Sequence, residues 1–276
     1  MSTPLILSAD DYAQSDAIDA GILSLIQQKR LTATSCLTLS PRWPLAARRI
    51  TAEIRYQADI GLHLDFTQYS RIIRYPHPQL IVRTLLRSLD SDKVRSSIRQ
   101  QLDLFEQAIG TAPDYVDGHQ HVHQLPQIRD ILLNELASRY SNTLPWIRVA
   151  TPPSADGFKG RVIGALGSKA LKQAARKQGF HTSDVLLGVY GFNDTPAAYA
   201  RKLRQWLDIA VSDAHEGNIC AFMCHPGIGT SLADDDPIWQ ARPLEYEVLS
   251  SDIWPELMQE LGIVPIKGSE LFEAAR

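Results

Sequence analysis

Residues 116–123 read Val-Asp-Gly-His-Gln-His-Val-His, with three histidines at alternate positions behind a carboxylate. The whole chain has only 8 histidines, so three within five residues is a concentration that asks for a chemical reason. Imidazoles and carboxylates together are the usual ligands of a catalytic divalent metal. Spacing limits that reading. In an extended segment Asp117, His119, His121 and His123 face one way, with His119 and His123 ~13 Å apart. An ion with ligand bonds of ~2.1 Å cannot be held by all three. One histidine of the run is therefore expected as a ligand, and the others in positioning, substrate-binding or structural roles.

Further groups must then complete the site. Asp10-Asp11 follows the apolar run Leu5-Ile6-Leu7, His63 lies in Gly-Leu-His-Leu-Asp, and His225 lies in Met-Cys-His-Pro-Gly. Each alone has an ordinary structural explanation, such as a helix cap, a half-buried ring or a turn. Together, four strand ends carry carboxylate or imidazole. Asp11 and His63 are the groups available to join one histidine, and an Asp/His/His set with open positions suits a hydrolytic site that keeps a water. Neighbouring strand residues point to opposite faces, so two equivalent aspartate ligands would require a bend. One aspartate as ligand and the other as general base toward water divides the chemistry sensibly.

Such groups need elements that bring strand ends together. Strand patterns are expected at Leu5–Ser8, Thr34–Leu39, Asp59–Leu64, Pro113–Gly118, Trp146–Ala150, Val185–Tyr190, Ile219–Cys224 and Ile263–Ile266. Helical patterns separate most of them: one after Leu7, one opening near Pro44, then Gln79–Leu89, Ser91–Ile109, Leu125–Tyr140, Ala165–Lys177, Pro196–Ile209 and Leu244–Leu261. Gly110 is placed to cap the helix that ends at Ile109. Thr67–Pro78 reads as a long loop at the mouth of the structure. Strands alternating with helices imply a parallel sheet covered by helices. A single-domain α/β protein spanning 1–276 is expected, a deformed (β/α) barrel ahead of an open doubly wound sheet; both gather active residues at C-terminal strand ends.

Composition narrows the partners. A hydrophobic fraction of 44% and a charged fraction of 21% suit a chain that buries a full core. A net charge of −3 with no lysine or arginine run offers no field for nucleic acid or an anionic membrane, so a small, weakly charged substrate is expected. Cys36, Cys220 and Cys224 lack paired spacing, and the N-terminus lacks a basic region with a long apolar run. These features point to a cytoplasmic protein. Cys220 and Cys224 read as apolar filler around a buried strand. A homodimer is the oligomer considered.

The combination of Ala-Asp-Asp-Tyr at residues 9–12, Gly-Leu-His-Leu-Asp-Phe-Thr at 61–67, Pro-Asp-Tyr-Val-Asp-Gly-His-Gln-His-Val-His at 113–123 and Met-Cys-His-Pro-Gly at 223–227 resembles the YdjC-like carbohydrate deacetylases. That family includes chitooligosaccharide deacetylases and hopanoid-associated deacetylase-like proteins. A weaker match runs through Arg242 and Glu245, so the resemblance covers nearly the whole chain. It implies a TIM-like barrel of the polysaccharide-deacetylase type, one divalent ion and removal of an N-acetyl group from an amino sugar. Mg or Zn is the expected ion, with Mn and Co also compatible.

Carried over by position, Asp11, His63 and His119 look like the metal ligands. Asp10 looks like the general base, and His225 like the group that protonates the departing amine or steadies the oxyanion. Asp117 is then expected to orient a histidine. His121 and His123 stay open between substrate contact and structure, and Arg148 between sugar hydroxyls and a surface ion pair. Where relatives carry glycine after Ala-Asp-Asp-Tyr, this chain has Ala13, which suggests a differently shaped first loop.

Two other readings compete. A metal-dependent phosphoesterase or amidohydrolase would place His-x-His at the first strand and build a two-metal site, whereas here the first strand carries Asp-Asp. A non-catalytic sugar-binding relative would have lost Asp10, Asp11 or His225, and none is lost.

Overall fold

Among the described residues, eight parallel strands form the sheet, in the order β5-β4-β3-β2-β1-β7-β6 with β8 added to the start of β1. They are β1 Thr3–Tyr12, β2 Ala33–Cys36, β3 Asp59–Leu64, β4 Tyr115–Gly118, β5 Trp146–Ile147, β6 Val185–Leu187, β7 Cys220–Cys224 and β8 Ile263–Pro265. The computed structural model describes residues 2–141, 143–153, 162–229 and 236–274. Between the edge strands β5 and β6 the ring is crossed by a bridge from Ile147 to Thr182 and by the Leu186 N–H donating to the Thr151 carbonyl. The result is a deformed barrel, as the strand–helix alternation predicts.

Side-chain alternation divides the strands into an outer and an inner set. Leu5, Leu7, Ala9, Val116, Ile147, Phe222 and Cys224 pack outward against the helices. Ile6, Ala33, Tyr115, Trp146, Leu186, Ala221 and Met223 fill the barrel interior. Above that apolar plug, the inward positions turn polar: Ser8, Asp10, His63, Asp117 and Arg148 are all buried. A buried polar layer is tolerated only when its members satisfy one another. The three cysteines are buried and unpaired, in keeping with a filler role.

The plug is tight. A Cβ on Gly61 would stand 2.4 Å from the Tyr115 ring, which is stacked on Trp146 at 4.5 Å and tied by its hydroxyl to Ser8. With both sides held, Gly61→Ala is expected to destabilise the fold by about 1–3 kcal/mol. Thermal melting checks this, and an unchanged midpoint would show that the ring yields freely.

Most elements lie where local patterns place them. The helix Ser91–Ile109 starts at Asp90, whose side chain accepts from Asp92 and Lys93 N–H, and ends at Gly110 with φ 82°. Three stretches differ. The helix from Pro196 continues to His215, because residues beyond Ile209 still offer a packing face to the core. The pattern from Leu244 to Leu261 is two helices, Ala241–Ser250 and Ile253–Glu260, broken where Ser251 turns to an extended backbone. The loop after β3 ends at a helix His77–Leu85. Asp65 organises that loop: its two carboxylate oxygens accept backbone N–H groups from Thr67, Gln68, Tyr69 and Ser70. Among the described residues, no helix is long and apolar enough to cross a membrane.

Candidate active site

The polar layer opens at the C-terminal ends of β1, β3 and β4. Strand alternation brings Asp10 inward with Ile6 and Ser8, and by the same rule Asp11 should face outward. It does not. The pairing of β1 with β2 skips from Ala9–Thr34 to Tyr12–Cys36, so three steps on β1 match two on β2, and Asp11 takes φ 68°. This bulge turns both carboxylates toward the same space. Ala13 follows with φ 76°, the left-handed conformation that glycine adopts without penalty. Its N–H donates to Asp19 Oδ1 at 2.7 Å and its carbonyl accepts from Ser40 at 2.6 Å. Alanine here is held in a glycine-like turn by those two hydrogen bonds.

Register supplies the next pair. His63 on β3 lies beside Asp117 on β4, and His63 Nδ1 donates to Asp117 Oδ1 at 2.6 Å, with Ser35 Oγ at 3.0 Å. That contact leaves His63 Nε2 facing Asp11 Oδ1 at 3.4 Å. His119 Nδ1 reaches the same oxygen at 2.9 Å. Two imidazoles thus converge on one carboxylate oxygen, and ligand atoms of Asp11, His63 and His119 all lie within 4.8 Å of one another. This is the donor chemistry of an Asp/His/His metal site, with a carboxylate behind one histidine.

Asp10, His63 and Asp117 also lie within that separation. Arg148 already occupies that space, however. Its two Nη atoms bind Asp10 Oδ1 at 2.7 Å and Oδ2 at 2.6 Å, Nη1 donates to Ser8 at 3.0 Å, and Nη2 lies 2.6 Å from Asp117 Oδ2. A guanidinium between the carboxylates neutralises the charge that a cation would need, so the first group is the better metal cradle. Arg148 itself is buried, with its donors turned inward. Its ion pairs are buried rather than on the surface, because the alternation begun in β5 carries the side chain into the barrel.

The histidine run is not extended. After Gly118 the chain enters a 3₁₀ segment, His119–Gln124, in which Gln120 and His121 have φ 54° and 59°. The ~13 Å separation expected of an extended run therefore does not describe it. The turn still leaves only His119 at Asp11. His123 is swung behind the strand, where its Nε2 lies 2.8 Å from the Arg148 carbonyl and its ring packs on Gly118, with no room for a Cβ there. His123 is thus fully buried against the backbone. His121 is half-buried between these groups.

Burial sets the charge states. Burial alone would lower His63, but Asp117 and Asp10 raise it to about 10. Burial raises Asp10 despite the Arg148 guanidinium. Burial works against ionised Asp11, yet His119 and Arg242 keep its carboxyl well below the usual range. Burial lowers His123 to about 4 and His225 to about 3, and it also lowers His121.

His225 stands at the end of β7, its Nε2 3.9 Å from Asp10 Oδ2 and its ring edge-on to Phe192 at 5.1 Å between centroids. The residues that hold this end carry no pattern that sequence inspection could rank. Arg242 Nη2 donates to Asp11 Oδ2 at 2.8 Å, and Asp236 pairs with the same guanidinium. Glu245 Oε2 accepts the His225 backbone N–H at 2.5 Å, and Oε1 accepts the Tyr190 hydroxyl at 2.6 Å. Their sequence signals are the weak family match through Arg242 and Glu245 and the spacing of those two residues, which puts both on one helix face.

Glu245 is fully buried, and burial raises it to about 7. A carboxyl whose folded value lies above its unfolded one weakens the fold as pH rises from its ordinary range to about 7. Glu245→Gln should remove that slope. It should also cost about 1–3 kcal/mol, because an amide nitrogen must face one of two donors. Melting from pH 5 to 8 reads both effects; an unchanged slope counts against the carboxyl.

The model of the YdjC-like proteins matches residues 4–260. The chain belongs to the YdjC-like family. A carbohydrate deacetylase of Enterococcus faecalis is 28% identical to it, covering 94% of this chain and 95% of that one. A chitooligosaccharide deacetylase of Salmonella typhimurium is 24% identical, covering 96% and 98%. Among solved structures, a candidate cellobiose-phosphate cleavage protein of Enterococcus faecalis shares the fold, with a TM-score of 0.75 at 21% identity over 98% of this chain and 99% of that one.

Proposed function

We propose that this protein is a metal-dependent hydrolase that removes the N-acetyl group from an amino sugar or short oligosaccharide of the chitooligosaccharide kind. The observation that supports it most is the convergence of His63 Nε2 and His119 Nδ1 on Asp11 Oδ1 beside a second, separately held carboxylate, Asp10. Relatives named carbohydrate and chitooligosaccharide deacetylases supply the substrate class.

Asp11, His63 and His119 are the residues that would hold one divalent ion, Mg or Zn ahead of Mn or Co. Bound there, the ion supplies Lewis acidity, polarising the acetyl carbonyl and making a neighbouring water easier to deprotonate. Asp10 takes the water proton and passes it to the amide nitrogen as the C–N bond breaks, so that acetate and the free amine leave. Arg148 fixes its carboxylate through two hydrogen bonds, so the base presents one orientation, while burial brings its basicity up. Asp117 steers His63 by holding Nδ1. Burial keeps the His225 imidazole neutral, and a neutral ring donates a hydrogen bond to a developing oxyanion without carrying charge into the site. Between the two roles open for His225, the oxyanion contact is favoured.

The two-metal phosphoesterase reading loses support because Arg148 fills the space of a second ion. Acetate release from N-acetylated chito-oligosaccharides, measured with chelator and then metal add-back, tests the proposal. Release that ignores the chelator overturns the mechanism; no release from any amino sugar favours a binding protein.

A further inference from the structure

The helix His77–Leu85 buries Leu80 and Thr84 and leaves its opposite face bare. On that face Val82 is 54% exposed, Leu85 61% and Leu86 73%, and Ile72 in the preceding loop is 37% exposed. Positions 82, 85 and 86 fall on one side of a helical wheel, so these side chains form a continuous apolar strip. Proteins that fold alone do not gain by showing such a strip to water.

The surrounding charge is one-sided. Between Asp65 and Asp90 the chain has four arginines, at 71, 74, 83 and 87, and no acidic residue, although its net charge is −3. They are separated by three, nine and four positions, so no basic run is visible in the sequence. Arg83 lies within the helix and Arg87 just after it, while Arg71 and Arg74 lie in the loop that leads into it. Arg74 Nη1 donates to the Gln68 carbonyl at 3.0 Å, and the Arg83 guanidinium covers the Tyr75 ring at 4.4 Å. Arg87 pairs with Asp130 at 3.1 Å, both side chains remaining exposed at 64% and 40%. Asp90 and Asp92 follow at the next helix start.

We propose that this face docks on an anionic lipid surface, with Val82, Leu85, Leu86 and Ile72 entering the headgroup boundary and the arginines meeting lipid phosphates. An apolar strip flanked by cations is the pattern of an interfacial helix. The charge also argues against a second copy of this chain, since a two-fold contact through the strip would set the arginines against themselves. The helix begins at His77, whose ring lies beside the Gln120 backbone and His119. A helix of this length spans ~13 Å, so docking brings the site close to the lipid boundary.

Co-sedimentation of the full chain with phosphatidylcholine vesicles, with and without phosphatidylglycerol, tests this without reference to any activity. The protein is expected to pellet with phosphatidylglycerol vesicles and to be released by salt. Arg71→Gln and Arg74→Gln should each weaken partition by roughly fivefold, and Leu85→Ser with Leu86→Ser by about tenfold or more. All four side chains are exposed, so melting should stay constant. Equal binding to both vesicle types, or none, overturns the proposal. So does sedimentation equilibrium showing a dimer that Leu85→Ser dissociates, which would assign the strip to a second copy, or pelleting that occurs only with an added acidic protein.

Discussion

Asp10→Asn is expected to lower turnover of an N-acetylated chito-oligosaccharide by about 10²–10⁴-fold, the usual contribution of a positioned general base. The substitution keeps the shape of the side chain and one acceptor for Arg148, but it removes the group that can take a proton. Arg148 still has Asp117 at 2.6 Å, so the guanidinium is not left without a counter-charge. Metal affinity should change little, because Asp10 stands beside the Asp11, His63 and His119 set rather than in it. Steady-state acetate release together with a metal titration separates these effects. Retained turnover would remove Asp10 from its role; turnover lost together with metal binding would recast it as a ligand.

Metal uptake should be strongly coupled to pH. Against the effect of burial, Asp117 and Asp10 raise His63 to about 10, so in the metal-free protein its ring is protonated at neutral pH. A metal needs a free Nε2 lone pair, and binding must therefore expel that proton. Affinity is expected to rise about tenfold per pH unit as pH approaches 10, with close to one proton released per ion at pH 7. The same shift stabilises the metal-free fold below the ordinary histidine value, and that contribution is lost as pH rises through about 10. Calorimetric titration in two buffers of different ionisation heat counts the protons. Zero release would show that His63 enters binding already neutral. Asp117→Asn should lower His63 and flatten the dependence, while reducing affinity by about 10–100-fold through loss of the carboxylate behind the ring.

Much of this was legible along the chain because it is local. Strand and helix periods follow from which faces are buried, and the Gly110 cap follows from backbone geometry at a helix end. The groups at the strand ends were visible for the same reason: in a parallel barrel, a polar residue closing an apolar run must lie at the rim. Asp10, Asp11, His63, His119 and His225 could be chosen on that basis, helped by a family resemblance.

Local pattern misjudged the path of the chain once strands ended. Nothing in Asp-Gly-His-Gln-His-Val-His signals that Gln120 and His121 adopt left-handed backbone, a conformation that non-glycine residues take only when surrounding contacts impose it. Nor does Asp10-Asp11 announce the bulge that turns neighbouring carboxylates the same way. Arg148 stayed open between sugar hydroxyls and a surface ion pair because its inward direction depends on the register of β5 against β4. Arg242 and Glu245, more than two hundred residues from Asp11, reach Asp11 and the His225 backbone only because the fold brings their helix to the rim. The sequence by itself determined the chemical inventory and the strands that deliver it. Tertiary structure alone decided which nitrogen meets which oxygen, because contacts between distant strands depend on register and bulges that no local preference encodes.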